Sequence, residues 1–146
     1  MNQKLQVTKK NHYEELKISR FVFDENVQKD RLVTDVYKLR LTDRWKDKLQ
    51  EMYDLDVFEY YEEMCTQGAI INRYKFAAVV WALLNGGGHV LSEDETVNLI
   101  ETAVNHLGLD GLAMAVLSAL TAALMPPEAY EAFKMTVLSY GNQVSL

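Results

Sequence analysis

The chain is poor in the residues that staple, kink or metallate a small protein. Its 146 residues include one cysteine, Cys65, two prolines, Pro126 and Pro127, and three histidines, His12, His89 and His106. One cysteine makes neither an internal disulfide nor a zinc site, and a buried, inert thiol is the default reading. The histidines form no HxH, HExxH or HxxxH spacing with another ligand, so no metal is expected. No charge-free apolar window approaches membrane-spanning length. The longest, Leu109 to Met125, is interrupted by Asp110 and by small or hydroxyl residues, and it reads as a buried helix. No apolar stretch follows a basic start, so no signal peptide is expected. These two absences point to the cytoplasm.

What is present is ordinary for a folded domain: 49% hydrophobic and 25% charged residues. A chain of this size buries enough surface to fold without a staple. The net charge of −6 argues against a general nucleic-acid binder. Most basic residues lie within 1–48, from Lys4 to Lys48, and the remainder is acidic. That asymmetry suits partner choice or self-association, although a solvated face is the commoner explanation of a charge run.

Periodicity predicts an α+β, mainly α fold: a short N-terminal antiparallel β-hairpin followed by a bundle of about six helices. Residues 1–14 read as a flexible polar tail, 15–140 as a single globular domain with the hairpin over 15–41 and the bundle over 42–140, and 141–146 as a second tail. Leu16 to Phe23 favours strand. In Val36-Tyr37-Lys38-Leu39-Arg40-Leu41 the alternation puts Tyr37, Leu39 and Leu41 on one face and Lys38 and Arg40 on the other. The polar stretch 24–30 connects them. Thr42 or Asp43 caps a helix carrying Trp45, Leu49 and Met52, and Asp56 with Glu59 has capping-box form before a short helix that Gly68 ends. Asn72 starts a helix with a broad apolar stripe that Asn85-Gly86-Gly87-Gly88 stops. Ser92-Glu93-Asp94-Glu95 is a second capping box, Gly108 ends that helix, and Asp110 caps a charge-free helix to about residue 124. Pro127 suits the first turn of a last helix bearing Tyr130, Phe133, Val137 and Leu138.

No catalytic, metal-binding or cofactor-binding constellation is legible. The glycine run follows a helix and lacks a following Lys, so it is not a phosphate loop. The clusters at Glu62-Glu63 and Glu93-Asp94-Glu95 lack the alternating ligands of a calcium loop. Cys65 lies beside Glu62 and Glu63, which disfavour a thiolate. A paired-carboxylate site needs only spatial proximity, and nothing in the sequence supports one. A non-enzymatic, protein-binding role is therefore expected.

The segment Val36-Tyr37-Lys38-Leu39-Arg40-Leu41-Thr42 resembles the Y-x-L-R-L-T opening of tail assembly chaperones from long-tailed bacteriophages and prophages, and the order of elements from Phe21 to about Leu124 is similar. The resemblance implies a chaperone that binds the tape-measure protein, keeps its apolar helices soluble, recruits tail-tube subunits and self-associates, with no nucleic acid, membrane or cofactor. Candidate protein-binding residues are Phe76, Val80, Leu83, Leu112, Val116 and Leu120 on the two most apolar helices, with Tyr60 and Tyr61 from the aromatic cluster. For any one of them, filling the bundle core is the commoner fate of such a side chain. The alternative reading is an intracellular helical adaptor or regulatory module for another protein partner.

Overall fold

The computed structural model describes residues 13–67 and 72–144, with side chains up to Thr136. The polar start over 1–12 with His12, the helix stop at Gly68, the apolar side chains of Val137 and Leu138, and residues 145–146 lie outside what is described. Two antiparallel strands, β1 (Glu14–Asp24) and β2 (Lys29–Leu39), precede five helices: α1 (Asp43–Tyr53), α2 (Val57–Gln67), α3 (Arg73–Gly86), α4 (Glu93–Leu124) and α5 (Pro127–Val144). The architecture is α+β and mainly α, with five helices rather than about six. The two helices expected on either side of Gly108 run into one another without a loop. Gly108 alone leaves helical geometry, at φ 79° and ψ 162°, a region essentially confined to glycine. The last helix continues through Gly141, where the sequence suggests a tail, to Val144.

Local chemistry sets each boundary. Thr42 Oγ1 accepts from the Trp45 N–H, and Asp56 Oδ1 accepts from the N–H groups of Phe58 and Glu59. Asn72 Oδ1 takes the N–H groups of Tyr74 and Lys75. Ser92 and Glu95 form the reciprocal box, each side chain holding the other's backbone N–H. The described stretch between strands is a four-residue turn, 25–28, with Gln28 at φ 56°. Both strands therefore extend further toward the turn than the alternation alone indicates.

The core is built around α3, where every residue from Ala78 to Leu84 is buried. It packs against α1, β2 and α4, and α4 in turn packs against β1, α2 and α5. The buried face of α4 lies mostly beyond the Gly108 kink, from Leu112 to Ala123. α4 is long and apolar enough to cross a membrane by composition, yet half of its most apolar window is buried inside this fold. Leu16, Ile18 and Leu39 join the hairpin to the same core.

The junction between α3 and β2 is unusually close. A Cβ at Gly86 would sit 2.1 Å from the Arg40 carbonyl oxygen, and one at Gly87 would sit 1.9 Å from that of Lys38. The glycine run thus lets the end of α3 lie against the end of β2. There the Arg40 N–H donates to the Leu83 carbonyl at 3.0 Å, and the Lys38 N–H donates to His89 Nε2 at 2.9 Å.

Candidate protein-binding surface

The eight residues expected to bind a partner do not form an exposed groove. Phe76, Val80, Leu83, Leu112, Val116, Leu120 and Tyr60 are all buried, and Tyr61 is partly so, sharing a 2.8 Å hydrogen bond between its hydroxyl and Thr121 Oγ1. The structure brings six of them together as the interior of the α3–α4 layer, with Tyr60 and Tyr61 on α2 packed against it. The physical reason is coverage. The hairpin and α1 lie over α3 while α2, α5 and β1 lie over α4, so these residues are covered, although α4 leaves Val97, Leu107, Leu109 and Met114 exposed elsewhere.

The hairpin carries one group of exposed apolar side chains; others lie along the helices and their loops. Each strand has 11 residues, so the ribbon runs about 36 Å. Side chains alternate between faces, and the register pairs Leu16 with Tyr37, Ile18 with Asp35, and Phe21 with Leu32. The inner face carries Leu16, Ile18, Tyr37 and Leu39 and is buried only near the strand ends remote from the turn. The outer face carries Phe21, Phe23, Leu32 and Val36, which are 74%, 54%, 58% and 45% exposed. Val27 in the turn is 58% exposed, so the ribbon's free end presents apolar groups as well. Apolar side chains grouped in this way mark an interaction site more often than scattered ones do.

Two polar pairs hold the ribbon's register just beyond its buried part. On the outer face Ser19 and Thr34 hydroxyls hydrogen-bond at 2.9 Å. On the inner face Arg20 Nε donates to Asp35 Oδ2 at 2.9 Å, and that hydrogen bond and the carboxylate charge raise the arginine's pKa further. These are the cross-strand contacts that stabilise a sheet.

The sequence does carry a signal for this surface. In β1 the apolar residues fall at even positions up to Ile18, whereas Phe21-Val22-Phe23 is apolar on both faces. An apolar side thus appears on the outer face halfway along the strand, which a strand with one buried face does not require.

Other clusters of titratable groups act as braces. Glu14 Oε1 accepts from the Tyr130 hydroxyl, and Lys134 Nζ reaches both Glu14 oxygens at 2.9 and 3.1 Å, tying the start of β1 to α5. Burial and the Glu14 contact push the Tyr130 phenol upward. Burial alone would lower Lys134, but the hydrogen bond and charge of Glu14 outweigh it and the pKa rises. A second cluster stacks aromatic edges: Trp45 and Tyr53 stand T-shaped to Trp81, at ring-centre distances of 5.0 and 5.9 Å. Trp81 Nε1 donates to the Leu91 carbonyl, closing the loop between α3 and α4. Burial, with a hydrogen bond to Glu93, pushes Tyr53 up to about 12. Among the described residues no group of three or more His, Cys, Asp or Glu side chains is placed to hold a metal ion. Cys65 is exposed rather than buried. No family model, characterised protein or solved structure matches the chain.

Proposed function

We propose that the chain is a non-enzymatic protein-binding protein, and that it acts as a tail assembly chaperone that holds the apolar helices of a tape-measure protein. One observation carries the binding role: the outer face of the hairpin sets Phe21, Phe23, Leu32 and Val36 in water on an element whose base is locked into the core. An amphipathic helix laid across that face buries its own apolar stripe against the two phenylalanines and Leu32, a known mode of helix recognition. The whole chain carries a net charge of −6, which favours solubility of such a complex. The specific partner is argued from the Val36–Thr42 segment and the element order, which resemble those of tail chaperones. The binding surface is thereby assigned to the hairpin rather than to α3 and α4.

Co-expression tests this directly. A tape-measure fragment that aggregates alone is expected to stay soluble with the wild-type chain and to co-purify with it. The double substitution Phe21→Ser, Leu32→Ser is expected to abolish the rescue while leaving the melting temperature almost unchanged, because both side chains are exposed. Rescue by the double variant would overturn the assignment of the surface. Failure of the wild-type chain to solubilise any tape-measure fragment, with the hairpin folded, would overturn the chaperone reading.

A further inference from the structure

The two edges of the hairpin differ, and the outer edge of β2 is open over a defined length. The N–H groups of Lys38 and Arg40 point away from β1, since they donate to His89 and Leu83. In an antiparallel ladder the direction alternates from residue to residue. The N–H and C=O groups of Asp30, Leu32, Thr34 and Val36 therefore face the same outer side. None of these four has a backbone partner there among the described residues. The open stretch is bounded at one end by the turn at 25–28 and at the other by His89 and the last turn of α3. Its midpoint is Val33.

Folded proteins blunt exposed edges with proline, bulges or lysine. This edge has no proline, its register with β1 runs unbroken from Lys29 to Leu39, its lysines stand only at the two ends, and its inward charges, Arg31 and Asp35, are of opposite sign. A two-stranded ribbon is also marginal by itself, whereas three or more strands are stable.

We propose that this edge pairs with the same edge of a second copy of the chain, antiparallel about a two-fold axis through Val33, giving a four-stranded sheet in the order β1-β2-β2-β1. The register follows from the edge itself. Centring on Val33 sets Leu32 opposite Thr34 and Asp30 opposite Val36 of the second copy, as hydrogen-bonded pairs. That uses all four outward residues on each side and makes about eight hydrogen bonds. Shifting the centre to Leu32 places Val36 opposite the turn. Shifting it to Thr34 demands the Lys38 N–H that His89 already holds. A one-residue slip sets outward groups against inward ones and makes no ladder.

The charges agree with the same register. Val33 meets its own copy, Arg31 meets Asp35 of the second copy, and Asp35 meets its Arg31. No like charges stand opposite each other. Asp35 then receives Arg31 of the second copy beside its own Arg20. The equivalent pairing through β1, centred on Arg20, the partner of Val33, would set Arg20 against its own copy. Pairing through β2 also joins the two Phe21–Leu32 patches into one outer surface. It does not depend on which protein that surface holds.

Charge reversal on the full chain tests both the contact and its register. Light scattering after size exclusion, at about 100 µM, is expected to give a dimer for wild type. Arg31→Asp alone sets two aspartates against each other at each crossing, and Asp35→Arg alone sets two arginines. Each is expected to weaken the dimer at least tenfold or so. Mixing the two variants restores opposite charges at both crossings and is expected to recover a heterodimer. Thr34→Pro, which removes an outward N–H and the side-chain hydrogen bond to Ser19 but no backbone bond to β1, is expected to give monomer, with circular dichroism reporting that the fold persists. A monomeric wild type overturns the proposal. So does a dimer indifferent to both Arg31→Asp and Thr34→Pro, or a monomer whose β2 edge takes up a strand of a different protein.

Discussion

Three consecutive glycines show how one residue type serves distinct physical needs. Gly88 has φ 97°, which side chains disfavour, and has open space around its missing Cβ. Gly86 and Gly87 have ordinary geometry for a helix end but no room, because β2 carbonyls lie where a methyl would go. Gly87→Ala is therefore expected to destabilise the chain by about 1–3 kcal/mol, read from the shift in a urea midpoint at constant slope. The sequence shows that α3 stops at this run, since glycines end helices. It does not show the close approach, because the obstructing oxygens belong to Lys38 and Arg40, almost fifty positions earlier in the chain. Long-range contact is what local reading misses here.

Elements with caps were the most legible. Ser92 and Glu95 announce the start of α4 by spacing alone, and the structure closes both hydrogen bonds. Those bonds from Ser92 hold the Glu95 carboxyl below its ordinary value against a small opposing desolvation. A depressed carboxyl pKa means the ionised form favours the folded state. The contribution is present above the unfolded pKa of about 4.3 and is lost as pH falls through the lower, folded value. Glu95→Gln is expected to be less stable than wild type at neutral pH, with the difference shrinking on acidification below about pH 5. Thermal melts of both proteins across that range check it; a constant difference would mean the carboxylate charge contributes nothing. The hairpin was legible as strands but not as a projecting ribbon. The alternation from Val36 to Leu41 marks a half-buried strand, whereas 31–35 carry Arg31 and Asp35 among the apolar residues and give a weak signal. Gly108 stops helical geometry as its residue type suggests, but its extended backbone feeds directly into the next turn, so the expected pair of helices became one kinked element.

At the scale of the whole molecule, the most apolar helices could be recognised in the sequence, but what covers them could not. Phe76, Val80, Leu83, Leu112, Val116 and Leu120 satisfy the pattern for a binding groove and for a core equally, and only the placement of the hairpin, α1, α2 and α5 decides between them. Leu120 is fully buried, so Leu120→Ala is expected to cost about 2–5 kcal/mol, measured by urea unfolding. If Leu120 instead faced a partner, the isolated chain would lose little stability and the complex would weaken. The polar face of the hairpin's base is secured separately. Glu14, Tyr130 and Lys134 join the first described strand to the first turns of the last helix.

Only the root of the ribbon is gripped by the body. Leu16, Ile18 and Leu39 anchor it, while beyond the Ser19–Thr34 and Arg20–Asp35 pairs no distal inner residue belongs to the buried core among the described residues. Thermal fraying therefore starts at the turn and travels inward until it meets those two pairs. In the proposed binding role the tip is a compliant finger on a rigid knuckle, able to bend without loosening the core that carries it.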